Sequence, residues 1–583
     1  MSMCLSDAIP TSIRGIRCDE TTTSWRTDVG VVLAYLFLAL MASWPLVTHF
    51  STHVIGGAGV DVWDHLWTMY GTKDALMGHG GTPFTRELAY APDGLLFYPV
   101  NLINEIISMP FQVFLGLIRS FNMLCIAQLV FAAWAAYRLA LYVTKHRAGA
   151  FVAGLAFAFA PSVVSTLHNG TSAGGNAGWI AFYLWILVRS NGSFSKGYAL
   201  GVGLLLAFVT HMCWYYGAFC GFATMLYFGP MLLPRVSGDR RKLLIGMILL
   251  FGVAVLAVTP LGVLMHATLT HPDGQNLGGK DIFISQARDH EFYSATVRAF
   301  FDMRARQPVD GYAHSCYFGY GVLLLAVLGV RYGWGKGETW LQRYWGILAV
   351  VFALLSLGPV LWVDGNAITL LPYHFAMKWI PFFHFFEFPY RFAVVTNLAL
   401  AVLAAAGIQC CFDQRTRMQQ YLLTGLFGAI IFVENLVAIS WPLPISDARI
   451  PDVYAELANV AGEGWVLDFP LGVETTGHYL YYQVSHRRPV PVGINRLGSE
   501  AVETILALGE GSDPWHWIIE DLDADQLLAL RNIGVRFVVC HKGSPGSDNK
   551  LASALKTRGV EVIFRDSECM VFDLTSLVIP MEM

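Results

Sequence analysis

The sequence has few charged residues for its length. Lys, Arg, Asp and Glu make up 14% of its 583 residues, whereas 55% are hydrophobic, and the mean hydropathy is +0.50. A soluble domain usually has about a quarter charged residues. A soluble chain of this length could not hide such an apolar excess in its cores, but a bilayer can solvate it. The composition therefore predicts an integral membrane protein.

Several motifs and charge patterns are also absent. The net charge is −4 and there is no basic tail, so nucleic acid is not expected as a partner. No P-loop, GxGxxG, HExxH or nucleophile elbow is present, which leaves ATPase, dinucleotide-binding and hydrolase functions without support. The ten cysteines have no CxxC or Cys/His metal spacing. A disulfide between Cys540 and Cys569 is left open.

Long apolar runs are present throughout the first three quarters of the chain. A membrane-spanning helix needs roughly 20 mostly apolar residues. The segments that meet this rule or approach it predict about eleven transmembrane helices, near 29–48, 121–143, 148–165, 174–189, 197–212, 215–233, 243–265, 313–330, 344–362, 391–411 and 420–441. A shorter run, 103–118, contains Pro110 and predicts an interfacial or re-entrant helix.

The loops between these segments predict the orientation. Lys and Arg collect on the cytoplasmic side of membrane proteins, and here they occur in alternate loops, as in KHR at 145–147. This alternation places the tail 1–28 in the cytoplasm and the C-terminus outside. The transmembrane domain is 29–441, with long outer loops at 49–120 and 266–312. The expected location is the cell (plasma) membrane.

The composition changes near residue 446 to that of a soluble domain. Short β-rich runs occur at 464–469, 536–541, 560–566 and 569–574. Segments with helical spacing and a glycine end lie between them, at 523–534 and 548–559. The fold class is therefore a polytopic α-helical membrane protein with a small extracytoplasmic α/β domain at 446–583.

Two acids in the first outer loop are candidates for chemistry. Asp61 and Asp64 lie beside Trp63 and Trp67, in a stretch that also has glycines. A carboxylate in a partly dry, aromatic pocket can act as a general base, and it can equally bind a divalent metal together with phosphate. The alternative is that both are ordinary solvated loop residues.

The first loop resembles that of bacterial C-type membrane glycosyltransferases, which use lipid-phosphate sugar donors. The similar segments are GAGVDVWDHLW (57–67), TPF and YAPDGLLFYP (90–99), FAFAPSVVSTLHNG (157–170), WYYGAF (214–219), FPYRFAVVTNLALAVLAAAGI (388–408), VLDFP (466–470) and YYQVSHRRPVPVGINR (481–496). The resemblance covers most of the chain. It implies hexosyl or pentosyl transfer at the outer face, with a first-loop acid as the base on the acceptor hydroxyl.

The resemblance assigns roles to individual residues. Asp61 matches the catalytic acid, whereas Ala58 stands where the related pattern often has a second acid. That difference argues against a paired-acid or metal site, unless Asp64 substitutes as a substrate-binding acid. A lipid-phosphate donor needs cations near the outer headgroups, and Arg391 and Lys378 are the candidates.

Two histidines complete the predicted substrate-binding set. His168 is expected to lie at an outer helix end, and His486 belongs to the C-terminal domain. The alternative for His168 is a hydrogen-bonded interface residue, whereas His486 is expected to line an acceptor site that faces the membrane. No cofactor is identified, and a divalent metal ion is the candidate left open.

Two functional classes remain at this stage. The first is a glycosyltransferase that moves a sugar from a polyprenyl-phosphate donor to a glycan, lipid or protein acceptor, with membrane lipids as further partners. The second is a transporter or a scaffold for envelope assembly. A transporter is expected to have broken helices in matched halves and ionisable residues at the bilayer midplane. Here the polar residues collect at outer ends and loops, which favours an enzyme with an outer-face site.

Overall fold

The computed structural model of the chain describes residues 25–57, 60–77, 101–168, 170–171, 174–190, 195–232, 240–270, 287–305, 307–309, 312–335, 340–363, 366–380, 383–384, 386–412, 415–491, 505, 518–519, 522–542 and 550–577. Predicted features in 1–24, at Ala58 and in 78–100 and 271–286 lie outside these residues.

Helices make up most of the described chain before residue 440. In chain order they are Trp25–Ala42 (α1), Val60–Leu76 (α2), Leu102–Leu115 (α3), Leu117–Thr144 (α4), Arg147–Ala158 (α5), Pro161–His168 (α6), Gly178–Arg189 (α7), Lys196–Met212 (α8), Trp214–Phe228 (α9), Arg240–Thr270 (α10), Ala287–Phe292 (α11), Val297–Phe301 (α12), Tyr320–Gly335 (α13), Trp340–Ser356 (α14), Pro372–Trp379 (α15), Ala393–Phe412 (α16) and Arg417–Ala438 (α17).

Six helices in the described residues are long and apolar enough to cross a membrane. They are Trp25–Ala42, Leu117–Thr144, Arg147–His168 (α5 and α6 taken together), Arg240–Val263 (most of α10), Pro389–Phe412 (α16 with the turn before it) and Arg417–Ala438. Four shorter apolar helices have 10–17 residues. Each of the eleven predicted segments contains a helix, so the chain is a mostly helical membrane protein. The count of eleven spanning helices and the orientation stay predictions.

Two of the helices, α13 and α16, cross in backbone contact. A Cβ added to Gly329 would lie 2.0 Å from the carbonyl oxygen of Leu403, and one added to Gly407 would lie 2.0 Å from that of Leu325. Each glycine therefore fits against the backbone of the facing helix. Small residues at helix interfaces allow this close approach in membranes.

The variant Gly407→Ala is expected to lower the stability of the purified protein by about 1–3 kcal/mol, because the new methyl group forces these helices apart. Thermal unfolding in detergent measures the change. Gly425→Ala on α17 is the matched control, since a Cβ there meets no atom within 4 Å. An equal loss of stability in both variants would contradict the backbone contact between α13 and α16.

The acid within the last membrane helix has a structural role. The carboxylate of Glu434 accepts hydrogen bonds from the hydroxyl of Tyr317 (2.5 Å) and from the backbone N–H groups of Tyr320 (2.6 Å) and Gly321 (3.1 Å). Tyr320 is the first residue of α13, and the first N–H groups of a helix have no partner within it. Glu434 therefore caps α13 from a neighbouring helix.

Helix α3 presents its apolar side outward. Ile107, Phe111 and Phe114 are exposed, the last by 84%, whereas Glu105 and Gln112 are buried. A helix with this polarity suits a lipid-facing position rather than water. This arrangement agrees with the expectation of an interfacial or re-entrant helix around Pro110.

The C-terminal region contains a four-stranded sheet. The strands of the chain are His53–Ile55 (β1), Gln307–Val309 (β2), Tyr312–His314 (β3), Val360–Val363 (β4), Asn366–Leu370 (β5), Ile445–Asp447 (β6), Trp465–Phe469 (β7), Leu471–Gly472 (β8), Ile518–Ile519 (β9), Val535–His541 (β10), Glu561–Arg565 (β11) and Cys569–Asp573 (β12). The sheet has the order β11-β12-β10-β7, and only the β10–β7 pair is parallel. Four helices accompany it, Val453–Ala458 (α18), Val473–His486 (α19), Ala524–Asn532 (α20) and Lys550–Thr557 (α21).

The two cysteines of this sheet are not bonded to each other. Cys569 is the register partner of His541, and Cys540 is the residue before His541. Successive strand residues point to opposite faces, so the two thiols lie on different sides of the sheet, and both are free. The disulfide left open from the sequence does not form.

The loop after α1 is tied to the segment that follows α17. β1 pairs with β6 in antiparallel register. The N–H of Gly56 donates to the carbonyl of Pro444 (2.9 Å), and the hydroxyl of Ser446 donates to the carbonyl of Gly56 (2.9 Å). The entry to α2 is therefore fixed by the linker of the C-terminal region.

Candidate active site

Helix α2 has two faces with different partners. Asp61, His65, Thr68 and Thr72 are spaced by three or four residues, which places them on one side of a helix. Trp63 and Trp67 follow the same spacing on another side. The polar face meets α3 and the loop after α6, whereas the tryptophan face meets α19 of the C-terminal region.

Asp61 lies at the first turn of α2 and is half-buried. Its Oδ2 accepts a hydrogen bond from the hydroxyl of Thr171 (2.9 Å). The same loop contacts the chain before α2, because the N–H of Gly57 donates to the carbonyl of His168 (2.9 Å). Gly170, with φ +74°, packs against Val62 so closely that a Cβ would lie 2.5 Å from that side chain. The structure therefore brings the His168–Thr171 loop onto the Asp61 turn.

Two further acids follow Asp61 in a chain of charge interactions. Burial, and next the charge of Asp61, raise the pKa of Asp64 to about 7. Burial also raises the pKa of Glu105 on α3 to about 7, and the Asp64 charge adds to this effect. The hydroxyl of Thr72 donates to Oε2 of Glu105 (2.5 Å). Asp64 and Glu105 are therefore groups that can hold or release a proton near neutral pH.

His65 and its neighbours extend the polar face inward. Burial lowers the pKa of His65, and Nδ1 of this ring lies 3.3 Å from the amide nitrogen of Asn101. Asn104 and Gln128 both donate to Oδ1 of Asn176, at 3.1 and 3.0 Å. A continuous set of buried hydrogen-bonding groups thus lies between α2, α3 and α4, and it holds the acid-bearing helices in fixed positions.

Arg391 and Asp61 share a neighbour, Tyr390. The charge of Asp61 and that of Arg391 both act on the Tyr390 hydroxyl. The Arg391 guanidinium also stacks over the rings of Tyr215 (4.7 Å) and Phe388 (4.3 Å). An aromatic-lined guanidinium near a carboxylate is suited to a ligand that carries both a phosphate and a sugar.

Two predicted site residues lie elsewhere. Lys378 is exposed near the end of α15, where its ammonium lies 5.8 Å from the Trp379 ring. His486 is 2% exposed, and its Nδ1 accepts from the N–H of Arg488 (3.1 Å). Burial lowers the pKa of His486 to about 3. Neither residue has a described contact with the groups around Asp61, and a role for either in substrate binding stays a prediction.

The described residues do not assemble a metal centre. No group of three or more His, Cys, Asp or Glu side chains among them has an arrangement that could hold a metal ion. The charge of Asp61 acts on Asp64, and that of Asp64 acts on Glu105, but the three acids are not grouped as metal ligands. The candidate divalent metal therefore stays a prediction without assigned ligands.

The tryptophan face of α2 docks on the C-terminal region. The Trp63 ring lies 3.9 Å from that of His478 and 5.3 Å from that of Tyr481, measured between centroids. Nε1 of Trp67 donates to Oε1 of Gln483 (2.7 Å). Both tryptophans are buried. The C-terminal region thus supports the helix that carries Asp61.

The variant Trp67→Phe is expected to lower the stabilising free energy of the contact between α2 and α19 by about 1–3 kcal/mol, because a buried hydrogen bond to Gln483 is lost. Hydrogen exchange measures the effect as faster exchange of amides in α2 and α19, with α13 unchanged. Trp379→Phe is the control, since this ring is 75% exposed. Unchanged exchange in α2 would show that the contact does not support it.

The sequence matches no family model and no curated protein sequence, but several solved structures are similar. The archaeal oligosaccharyltransferase AglB from Archaeoglobus fulgidus, in complex with an inhibitory peptide and a dolichol-phosphate, has a TM-score of 0.54 and 12% identity over 96% of this chain and 76% of its own. ArnT from Cupriavidus metallidurans has a TM-score of 0.54 and 13% identity over 95% of this chain and 100% of its own. The mycobacterial arabinofuranosyltransferase AftD has a TM-score of 0.56 and 12% identity over 95% of this chain, which spans 40% of AftD.

The chain has the fold of the C-type membrane glycosyltransferases. AglB is an oligosaccharyltransferase whose structure contains a dolichol-phosphate, and AftD is an arabinofuranosyltransferase. At identities of 11–13%, the similarity establishes the fold and leaves the donor and acceptor of this chain open. The resemblance inferred from the first loop is confirmed at the level of the fold.

Sequence reasoning missed Glu105 and Thr171. Glu105 interrupts an apolar run of the sequence. The spacing of the polar residues around it nevertheless indicated a buried polar face. Asn101, Asn104, Glu105, Ser108 and Gln112 recur every three or four residues, which is the pattern of one polar helix face. Thr171 has no such pattern, because its contact with Asp61 joins residues 110 positions apart.

Proposed function

We propose that the protein transfers a sugar from a polyprenyl-phosphate donor to an acceptor at the outer face of the plasma membrane. One observation carries the proposal. The carboxylate of Asp61 and the guanidinium of Arg391 both act through charge on the hydroxyl of Tyr390, and the guanidinium stacks over the rings of Tyr215 (4.7 Å) and Phe388 (4.3 Å). The candidate base and the candidate phosphate-binding cation are therefore both near Tyr390. The fold shared with lipid-phosphate-dependent glycosyltransferases supports the same reaction class.

In the proposed reaction, Asp61 accepts the proton of an acceptor hydroxyl. The hydroxyl oxygen forms a bond to the anomeric carbon of the donor sugar while the bond from that carbon to the phosphate oxygen breaks. Its electron pair leaves with the polyprenyl phosphate, whose charge Arg391 binds. A single displacement of this kind inverts the anomeric configuration. The acceptor is a glycan, a lipid or a protein, and the transferred unit is a hexosyl or pentosyl group.

Release of polyprenyl phosphate tests the proposal. The purified protein in liposomes is given polyprenyl-phosphate hexoses and pentoses with envelope extracts as acceptor, and the lipid products are measured by mass spectrometry. We expect the unchanged protein to release polyprenyl phosphate only when the acceptor is present, and Asp61→Asn to release none. The variant preparation controls for co-purified enzymes. A transporter or an assembly scaffold would release no polyprenyl phosphate from any donor, and that result would remove the enzymatic proposal.

A further inference from the structure

Helices α1 and α4 leave an apolar groove between them. Its volume is about 500 Å³. The residues that line it are Val32, Leu36, Leu40, Phe50, Met123, Ile126, Ala127, Val130, Phe131 and Trp134. All ten side chains are apolar apart from the indole nitrogen of Trp134. Neither Asp61 nor Arg391 belongs to the groove, and neither do the contact partners of these two residues described above.

The side chains that form the groove follow from the spacing of residues along both helices. Val32, Leu36 and Leu40 recur every four residues and make one wall. On α4 the small side chain of Ala127 lies between larger neighbours, which leaves a hollow at its position. Ala127 is exposed although it lies in the middle of a membrane helix.

The wall formed by α1 is held in place on its other side. The hydroxyl of Tyr35 donates to the carbonyl of Phe151 (2.8 Å), and the Tyr35 and Phe151 rings stack at 5.0 Å. Near the start of α1, Asp28 pairs with Arg138 at 3.0 Å. The groove is thus a fixed feature of the fold and does not depend on a loosely packed helix.

The dimensions of the groove fit one lipid chain. From Met123 to Trp134, α4 advances by about 16 Å at 1.5 Å per residue, which is close to half of the roughly 30 Å hydrocarbon thickness of a bilayer. One end lies at Phe50, beside Thr48 and the exposed ring of His49. The other end lies at Trp134, one turn before Arg138. The groove is therefore about as long as one leaflet is thick, and polar residues follow at its Phe50 end.

The polar end offers partners for a phosphate headgroup. The rings of His49 and His53 lie 4.8 Å apart, and each ring bonds the hydroxyl of the preceding threonine at 2.9 Å. Hydroxyl and imidazole groups at this end of the groove can form hydrogen bonds with the phosphate diester of a lipid headgroup. Asn122, next to Met123, donates to the carbonyls of Phe50 (3.0 Å) and His53 (2.7 Å), so this end has a defined shape.

We propose that the groove is a binding site for a bilayer phospholipid, with one acyl chain between α1 and α4 and its phosphate beside His49 and His53. The separation of the groove from Asp61 and Arg391 favours a resident phospholipid over the sugar carrier. The site is independent of the proposed transferase reaction. It places a lipid against the segment that leads into α2.

Native mass spectrometry tests the site. The protein is released from nanodiscs of phosphatidylglycerol and phosphatidylethanolamine, and retained phospholipids are counted. We expect one retained phospholipid with the unchanged protein. Ala127→Phe fills the hollow and is expected to lower its occupancy at least about tenfold, because several buried methylenes lose their contacts. Gly252→Phe is the matched control, since Gly252 is exposed in α10 and a Cβ there meets no atom within 4 Å.

A second variant keeps the test independent of folding at Ala127. The double change His49→Ala and His53→Ala leaves the groove intact and is expected to lower retention of the phospholipid while the protein stays monodisperse. The proposal is overturned if the unchanged protein retains no phospholipid, or if Ala127→Phe retains as much as Gly252→Phe. Retention of a polyprenyl phosphate in place of a phospholipid would also overturn it.

Discussion

Replacing Asp61 with Asn is expected to lower the rate of sugar transfer by about 10²–10⁴-fold, the usual contribution of a general base. Asn has nearly the same size and can still accept the hydrogen bond from Thr171, so the turn that connects α2 with the α6 loop is kept. What is lost is the ability to take a proton from the acceptor hydroxyl. Initial rates with saturating donor measure the change, because a base acts on the chemical step rather than on donor binding.

Two further variants separate catalysis from structure. Thr171→Val leaves the carboxylate in place but removes its hydrogen bond, and we expect a smaller loss of rate than with Asp61→Asn. Glu456→Gln removes an exposed acid in α18 and is expected to leave the rate unchanged. If Asp61→Asn transfers sugar as fast as the unchanged protein at every pH tested, Asp61 is not the base.

The helices and strands followed from the sequence because their signals are local. Apolar runs predicted a helix in each of the eleven segments, and the β-rich runs near 464, 536, 560 and 569 became β7, β10, β11 and β12. The run at 148–165 was divided between two α-helices. Pro161 starts a new helix after a two-residue break, since proline is favoured at the first position of a helix and disfavoured within it.

The candidate site followed from the sequence only in part. Asp61 was identified from its loop and by resemblance. Arg391 was chosen because a lipid-phosphate donor needs a cation, and His168 because of its expected place at an outer helix end. The groups that orient it come from distant parts of the chain. Trp67 and Gln483 are 416 positions apart, and the β1–β6 pair joins the start of the first loop to the segment after the last membrane helix. A single sequence contains no local signal for such pairings.

Glu105 shows how burial changes the meaning of a residue. In the sequence it interrupts an apolar run, and in the structure it is 2% exposed and faces Thr72 across the contact between α2 and α3. The charge of Asp64 acts on Glu105, so α3 adds a buried acid to those of α2.

Replacing Glu105 with Gln is expected to stabilise the protein at alkaline pH and to have little effect at acidic pH. Burial raises the pKa of Glu105 from its ordinary 4.5 to about 7. The unfolded chain loses this proton near pH 4.5, whereas the folded chain keeps it until about pH 7. The unchanged protein therefore loses stability as the pH rises between these values. Gln has no proton to lose and can still accept the hydrogen bond from Thr72.

The size of this effect follows from the pKa difference. About 2.5 pH units correspond to roughly 3 kcal/mol at 1.36 kcal/mol per unit, so Glu105→Gln and the unchanged protein should differ by about that amount at pH 8 and hardly at all at pH 4. Thermal unfolding in one detergent across this range measures the difference, with Glu456→Gln as the exposed control. A difference that does not grow with pH would contradict the burial of a proton-holding acid between α2 and α3. Asp64→Asn should move the transition to lower pH, because the charge of Asp64 helps to raise the pKa of Glu105.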